Sequence, residues 1–452
     1  MEKFTKKYGL PTAICMVIGI VIGSGIFFKA QDVLNLTGGN AVLGVLAWLA
    51  GGAIMIVFAA TFAVMATKFE RAGGVIDYAE ATCGEGYSYF IGSFMTTVYY
   101  PAMTAVLAWV CARFTVVAFG GEDPISGATT MFLSGFYLIL TYGINALSPK
   151  LAGKIQVSAT VIKMIPLCII AIVGTIAGLI NGTLITNFTE GSAASSGMAG
   201  GVGVFAAISC TAFAYEGWII ATAINAEIKN AKKNLPIALA LGSVVIVAAY
   251  VLYYLGVLGL ANADSLLSDG TSAAFKFFGA FGQTAINFFI IISCLGTLNG
   301  LMLASTRSMY GLAMRNRGPA PKVFSEISET TNMPTNSSIL GLLLCLGWLT
   351  YFIGGQFFDW FGSYAFDSSE LPIITIYAFY VPMLIAFMIK GKDTHPVKRF
   401  LLPSLSIIGS GVMIAASIFR HGVGNIYYLA VFAVIMGIGL IFFILNKKEK
   451  QK

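Results

Sequence analysis

The chain has 452 residues, of which 57% are hydrophobic and only 10% charged, and its mean hydropathy is +0.84. That balance excludes a soluble protein of this length. The formal net charge of +7 is accounted for by membrane topology, so no nucleic-acid partner is inferred.

Apolar stretches long enough to cross a hydrocarbon core of about 30 Å recur along the whole chain. Twelve spans are predicted, over 9–36, 39–67, 87–118, 129–147, 152–181, 199–227, 234–260, 277–312, 337–354, 367–390, 398–419 and 424–445. The chain therefore reads as one all-α integral membrane domain, 1–452, with the lipid bilayer as its surroundings. Of the 27 Lys and Arg, 23 fall on one side or in the helix halves nearest it. The alternate loops, 120–130, 181–200, 262–274 and 354–371, contain neither residue but hold Glu122, Asp123, Glu190, Asp264, Asp269 and Asp359. The positive-inside rule then puts both termini in the cytoplasm and demands an even number of spans. The first apolar segment follows a short basic start and lacks a small-residue cleavage site, which fits a retained helix better than a signal peptide. The seven cysteines are scattered over apolar helices apart from Cys83, and no outer loop carries one, so no disulfide-linked partner is expected.

Two of these spans are interrupted. In the first, Gly23-Ser24-Gly25 lets the chain leave helical dihedrals and exposes N–H groups at the start of an outer half-helix. That dipole end suits a carboxylate, with the Ser24 hydroxyl as a further donor. The inner half-helix ends near Val21 with free carbonyls, suited to an ammonium, and a zwitterionic α-amino acid carries both groups. The same small residues also suit close helix packing. The second interruption is expected within 209–218, where Phe213-Ala214-Tyr215-Glu216-Gly217-Trp218 combines an aromatic gate candidate, Phe213, with carbonyl acceptors and an intramembrane carboxylate. For Phe213 and Trp218 alike, packing or interface anchoring is the commoner role of an aromatic in a membrane helix. Glu216 is a functional candidate by its cost in a bilayer, or else a cap for the broken helix. Paired breaks of this kind point to a transporter's substrate site. If spans one to five and six to ten form two units, an odd number of spans inverts the second copy, and the two breaks meet near the midplane.

Lys163 lies on the order of 14–20 Å into the fifth span by helical rise, too deep for easy snorkelling. Its ammonium needs acceptors, for which the first helix offers carbonyls. The eighth span offers the hydroxyls of Ser293 and Thr297, on one face at i, i+4. Lys163 then replaces a bound sodium ion or carries a proton; a structural lysine near the inner edge is the plain alternative. Lys150, Lys154, Arg307 and Glu227 sit near helix ends, where topology explains them. His395 and His421 both fall in predicted loops, without a Cys/His cluster, so no metal site is expected. No cofactor is expected either.

At these residues the chain resembles the amino acid–polyamine–organocation superfamily, in particular its L-type amino acid transporter branch. The matching pieces are Ile22 to Phe27; Arg71-Ala72-Gly73-Gly74 with Tyr78; Lys163; Phe213 to Trp218; Glu227-Ile228-Lys229-Asn230 followed by Asn234-Leu235-Pro236; and Gly296-Thr297-Leu298-Asn299-Gly300. The resemblance implies a leucine-transporter-type five-plus-five inverted repeat, about 9–181 and 199–390, with two further helices in 398–445 and with helices one and six unwound at the midplane. It implies a substrate carboxylate at Gly23, Ser24 and Gly25, an amine at the carbonyls near Val21, Phe213 and Ala214, Phe213 as gate and Lys163 as sodium surrogate. Animal relatives bind a glycoprotein through an outer cysteine after helix three; the loop 120–128 has none. Glu216 stands where relatives often carry Gly or Asp, and Ile219 where they often carry a polar residue, both of which favour small substrates.

The leading expectation is a sodium-independent exchanger of small neutral L-amino acids in the plasma membrane. Its close rival is a proton-coupled symporter with Lys163 or Glu216 as proton carrier. An intramembrane enzyme built on Ser24 lacks a histidine base in a span, and a channel lacks repeated filter residues.

Overall fold

The computed structural model describes residues 9–23, 25–69, 74–147, 151, 155, 158–159, 161–190, 201–221, 228–329 and 333–449. The helices used below are α1 (Leu10–Val21), α2 (Gly25–Leu36), α3 (Ala41–Lys68), α4 (Glu85–Ala118), α5 (Ala128–Leu147), α6 (Met164–Ile180), α7 (Gly201–Tyr215), α8 (Trp218–Ala221), α9 (Ala231–Leu260), α10 (Gly279–Ala313), α11 (Thr335–Phe357), α12 (Leu371–Lys390), α13 (Val397–His421) and α14 (Gly424–Glu449). Among the described residues nine helices are long and apolar enough to cross a membrane. The number is ten if α6 and the short helix Thr183–Thr189, bent by 81°, count as one span. The predicted first span is divided into α1 and α2. The sixth is divided into α7 and α8, with 222–227 outside the described residues.

The chain forms two compact units. The first comprises Met1–Thr82, Lys163–Phe289 and Ile373–Arg420. It is built on close backbone approaches that only small residues allow. Gly174 and Gly178 of α6 face Gly256 and Gly259 of α9 so closely that a Cβ on any of them would overlap the opposing backbone. The far end of α9 is closed by the buried amide of Asn187. Its Nδ2 donates to the carbonyls of Leu258 (2.6 Å) and Ala261 (3.0 Å), while its Oδ1 accepts from the Ala263 N–H. Where α3 meets α13, Thr61 and Ser406 share a 2.8 Å hydroxyl bond.

The second unit comprises Cys83–Ile162, Ile290–Pro372 and His421–Lys452. Helix α4 is its axis: 78% of its most apolar window is buried, against 11% for α14 at the periphery. Polar pairs tie neighbours to each other. Thr104 of α4 meets Ser305 of α10 at 3.1 Å, Trp348 Nε1 of α11 donates to the Thr97 carbonyl, and Asn145 Nδ2 of α5 donates to Asn299 Oδ1 of α10. Such bonds matter in an apolar medium because the alternative is an unsatisfied polar group.

Candidate functional site

The site forms where two helices of the first unit end. Helix α1 stops at Val21 because Ile22 turns to an extended conformation (φ −67°, ψ 106°), its N–H still bonded to the Ile18 carbonyl. The last carbonyls of a helix have no intrahelical donor, so those of Gly19 and Val21 need outside partners. Helix α7 stays helical through Tyr215. The break is confined to Glu216 and Gly217, and Gly217 takes φ +110°. Phe213 and Ala214 therefore present their carbonyls from the last turn of a helix rather than from a longer unwound stretch.

Tyr250, on α9, joins the two ends. Its buried hydroxyl lies 3.1 Å from the Val21 carbonyl and 3.0 Å from that of Ala214. A hydroxyl has one proton, so the two acceptors share it. Sequence reasoning missed this residue. The available signal was Tyr250, Tyr253 and Tyr254 at i, i+3 and i+4, a buried phenolic face within a predicted span.

The first break also touches the second directly. A Cβ placed on Gly25 would lie 2.7 Å from the Ala214 Cα, so glycine at 25 is required by packing as well as by the break. Val21, Gly23 and Gly25 are buried, as are Phe213 and Ala214. The N–H groups at the start of α2 and the carbonyl ends of α1 and α7 are thus brought close together, a donor set for an anion beside an acceptor set for a cation. Ser24 lies outside the described residues, as do Arg71, Ala72, Gly73, Lys150, Lys154 and Glu227.

The Phe213 ring packs edge-on against Phe28, with centroids 5.9 Å apart. Lys29, missed by a reading that counted charges only by topology, is 1% exposed. Its ammonium sits 4.8 Å from the Phe28 centroid and 5.4 Å from that of Phe213, and pairs with Asp32 at 3.3 Å. Trp218 is fully buried among Phe58, Phe62 and Tyr380. That is a packing environment. Glu216 is half-buried at the turn and interacts electrostatically with the Tyr377 hydroxyl.

Lys163 precedes α6, is 2% exposed, and donates from Nζ to the Gly19 carbonyl. A cation at the carbonyl end of α1 also complements the helix dipole. Ser293 and Thr297 lie one turn apart on α10. Thr297 bonds back to the Ser293 carbonyl at 3.2 Å, and the Ser293 hydroxyl is buried without a partner among the described residues.

His421 is not the isolated loop histidine expected from sequence. It ends α13 and its Nε2 meets Oε2 of fully buried Glu370 at 3.1 Å. With Asp367 these two bring potential metal-ligating atoms within 4.8 Å of one another. Asp367 Oδ1 is engaged by the Ser369 N–H and hydroxyl and the Glu370 N–H, which explains the group as a polar clasp before α12.

The profile of the family described as "Amino acid permease" matches residues 8–441. The serine/threonine exchanger SteT of Bacillus subtilis (strain 168) is 28% identical over 424 residues, covering 91% of each chain. The b(0,+)-type amino acid transporter 1 of Mus musculus is 26% identical over 97% of this chain and 88% of its own. The aspartate-proton symporter of Bacillus subtilis (strain 168) is 26% identical over 90% of this chain and 77% of its own.

Proposed function

Because the chain belongs to the amino acid permease family, we propose that it is a sodium-independent exchanger of small neutral L-amino acids working by alternating access. The family and its relatives are membrane transporters, not enzymes, and the chain is a multi-pass membrane protein. The observation that carries the proposal is the meeting of two helix ends at Gly25, Ala214 and Tyr250. It sets the N–H groups at the start of α2 beside carbonyls that a shared Tyr250 proton leaves with spare acceptor capacity, the arrangement an α-carboxylate and an α-ammonium both need.

In this reading the substrate carboxylate binds the N–H groups of Gly23, Ser24 and Gly25. The ammonium binds the carbonyls of Val21, Phe213 and Ala214, two of which the Tyr250 hydroxyl holds in place while each keeps a second lone pair to offer. Phe213 closes over the substrate, and Glu216 crowds the site against large side chains. Lys163 supplies the fixed positive charge that a sodium ion supplies elsewhere, with Ser293 and Thr297 as its coupling partners. The frame is twelve helices, ten of them in a five-plus-five inverted repeat, in the plasma membrane with both termini cytoplasmic and no glycoprotein subunit.

The test is uptake of radiolabelled alanine into sealed proteoliposomes without sodium, with and without unlabelled amino acid inside, and with Lys163→Ala beside the wild type. Uptake only into preloaded vesicles establishes exchange. Equal uptake into empty vesicles that rises with an inward proton gradient replaces exchange by proton symport, the activity named for one relative. No uptake of any neutral amino acid rejects the substrate class.

A further inference from the structure

The second unit carries a cavity of about 430 Å³ between the start of α4 and the basic ends of α10 and α14, lined by Glu85, Asn316, Arg317, Phe443, Asn446 and Lys447 among others. Its central cation is buried. The Arg317 side chain is 7% exposed, with Nη2 3.2 Å from Glu85 Oε1 and Nη1 3.4 Å from the Ser88 hydroxyl. Lys447 is exposed at the rim. The charged groups lining the cavity are two cations and one carboxylate, and that carboxylate, Glu85, is 58% exposed. The set therefore leaves one positive charge unbalanced beside two carboxamides, suited to a singly charged phosphodiester.

A second cavity, of about 280 Å³ and almost wholly apolar, continues along the same helices. It is lined by Tyr89, Met309, Leu312, Ile438, Gly439 and Phe442 among others. Tyr89, which lines this second cavity, stacks on Phe443, which lines the first, with centroids 5.0 Å apart, and Tyr89 is anchored by its hydroxyl to the Gly439 carbonyl. Helix α14, which walls both, is the least buried of the candidate spans. A net-positive pocket bearing two carboxamides, next to an apolar cavity along the same helices, matches a molecule with an anionic head and an acyl chain.

We propose that this is a binding site for an anionic phospholipid of the leaflet that faces the basic helix ends. The phosphodiester sits by Arg317 and Lys447, and an acyl chain lies over Tyr89 and Phe443 along α14. Basic pockets between membrane helices recognise acidic headgroups in this way. Calling that leaflet cytoplasmic rests on the topology proposed above; the binding chemistry does not. Glu85 competes with the phosphate for Arg317, so its charge tunes the affinity downward.

The test uses the purified full chain in mild detergent, with retained lipid counted by native mass spectrometry and thermal stability followed in parallel. The probes are dioleoyl phosphatidylglycerol, dioleoyl phosphatidylcholine and inorganic phosphate. Phosphatidylglycerol is expected to be retained at one copy per chain in preference to phosphatidylcholine. Removing one cation with Lys447→Gln should weaken retention about five-fold, whereas Glu85→Gln should strengthen it. Lys447→Gln changes an exposed side chain, Glu85→Gln keeps a carboxamide acceptor beside the buried Arg317, and the parallel thermal unfolding separates a loss of fold from a change in lipid retention, which Arg317→Gln would not allow. Equal retention of the two lipids with neither variant altering it overturns the proposal. So does inorganic phosphate alone reproducing the stabilisation, since the site then takes a free anion. None of these readouts requires transport, so failure here and failure of the exchanger assignment are separately visible.

Discussion

The Tyr250 hydroxyl lies 3.0 Å from the Ala214 carbonyl, at the end of α7. The same oxygen is 3.1 Å from the Val21 carbonyl at the end of α1, so one phenol fixes the spacing of two helix termini that come from distant parts of the chain. Tyr250→Phe removes a single oxygen and keeps the ring in its cluster with Trp48 and Tyr215. The folded protein should survive. Substrate affinity should fall by about 1 kcal/mol, roughly five-fold, because the two carbonyls lose their common anchor. Concentration dependence of exchange in proteoliposomes measures this, and an unchanged half-saturation would remove Tyr250 from the site.

Gly25 and Ala214 make the complementary contact, backbone against backbone. In Gly25→Ala the new methyl would sit 2.7 Å from the Ala214 Cα, and neither helix end has a flexible side chain that can yield. Overpacking of this kind costs about 1–3 kcal/mol, and here it also pushes the two breaks apart. A lowered melting temperature with loss of uptake is expected. Gly437→Ala on α14, where nothing lies within 4 Å of the added carbon, is the matched control and should leave both unchanged or slightly raise stability.

Nine of the twelve expected spans, or ten with the bent pair, appear as long apolar helices among the described residues, and these were legible because long apolar runs in a 57% hydrophobic chain leave little choice of structure. The first break was legible because glycine is the residue that permits it. The second was placed less sharply. Phe213 to Tyr215 carry Cβ atoms and remain helical, and only Gly217 supplies the positive φ at which the chain turns. Tyr250 was not legible at all, since a tyrosine in an apolar helix looks like packing until the carbonyls it meets are known. Lys29 was hidden for a related reason: counting charges by side says nothing about a cation held by a carboxylate and two ring faces within one unit.

Lys163 donates to Gly19, one of the carbonyls that α1 cannot satisfy itself. Lys163→Met keeps most of the side-chain volume but removes the donor and the charge at that helix terminus. Loss of a charged hydrogen bond costs about 1.5–3 kcal/mol. Exchange should drop by about ten-fold or more, with the α1 end loosened. Hydrogen exchange of the α1 backbone checks the structural half of this prediction, and uptake the functional half. Loosening without loss of uptake would assign Lys163 a structural role only.

Asp393, in the loop between α12 and α13, is held below the usual carboxylate range by its hydrogen bond to Lys68. Asp123 is held low by the backbone and hydroxyl of Ser126, and Asp269 by Lys276. A carboxyl whose folded value is depressed stabilises the fold above its unfolded value of about 3.9. That contribution is lost as pH falls through the folded value. Asp393→Asn should therefore lower the melting temperature slightly at pH 7, less at high salt, and the difference should close below about pH 4. None of the three carboxyls titrates between pH 5 and 8, so a change in uptake across that interval has to arise elsewhere in the chain. Persistence of the Asp393→Asn difference at the lowest pH would show that the ion pair is not its source.

Lys29 and Asp32 form a one-sided pair, the lysine side chain 2% exposed and the aspartate 32%. Removing either partner leaves the other's charge behind, and the cost depends on how well that charge can reach water. Asp32→Ala removes the carboxylate 3.3 Å from the buried ammonium and should be the more damaging single change, on the order of 2 kcal/mol. Lys29→Met leaves a partly hydrated carboxylate and should cost less. The double variant Lys29→Met/Asp32→Asn removes both charges and should recover most of the stability, a coupling that a double-mutant cycle on thermal unfolding measures directly. Because the Lys29 ammonium also lies over the ring of Phe213, the double variant separates two roles. Restored stability with impaired exchange would mean that the cation steadies the proposed gate, whereas recovery of both would confine it to holding α2 together.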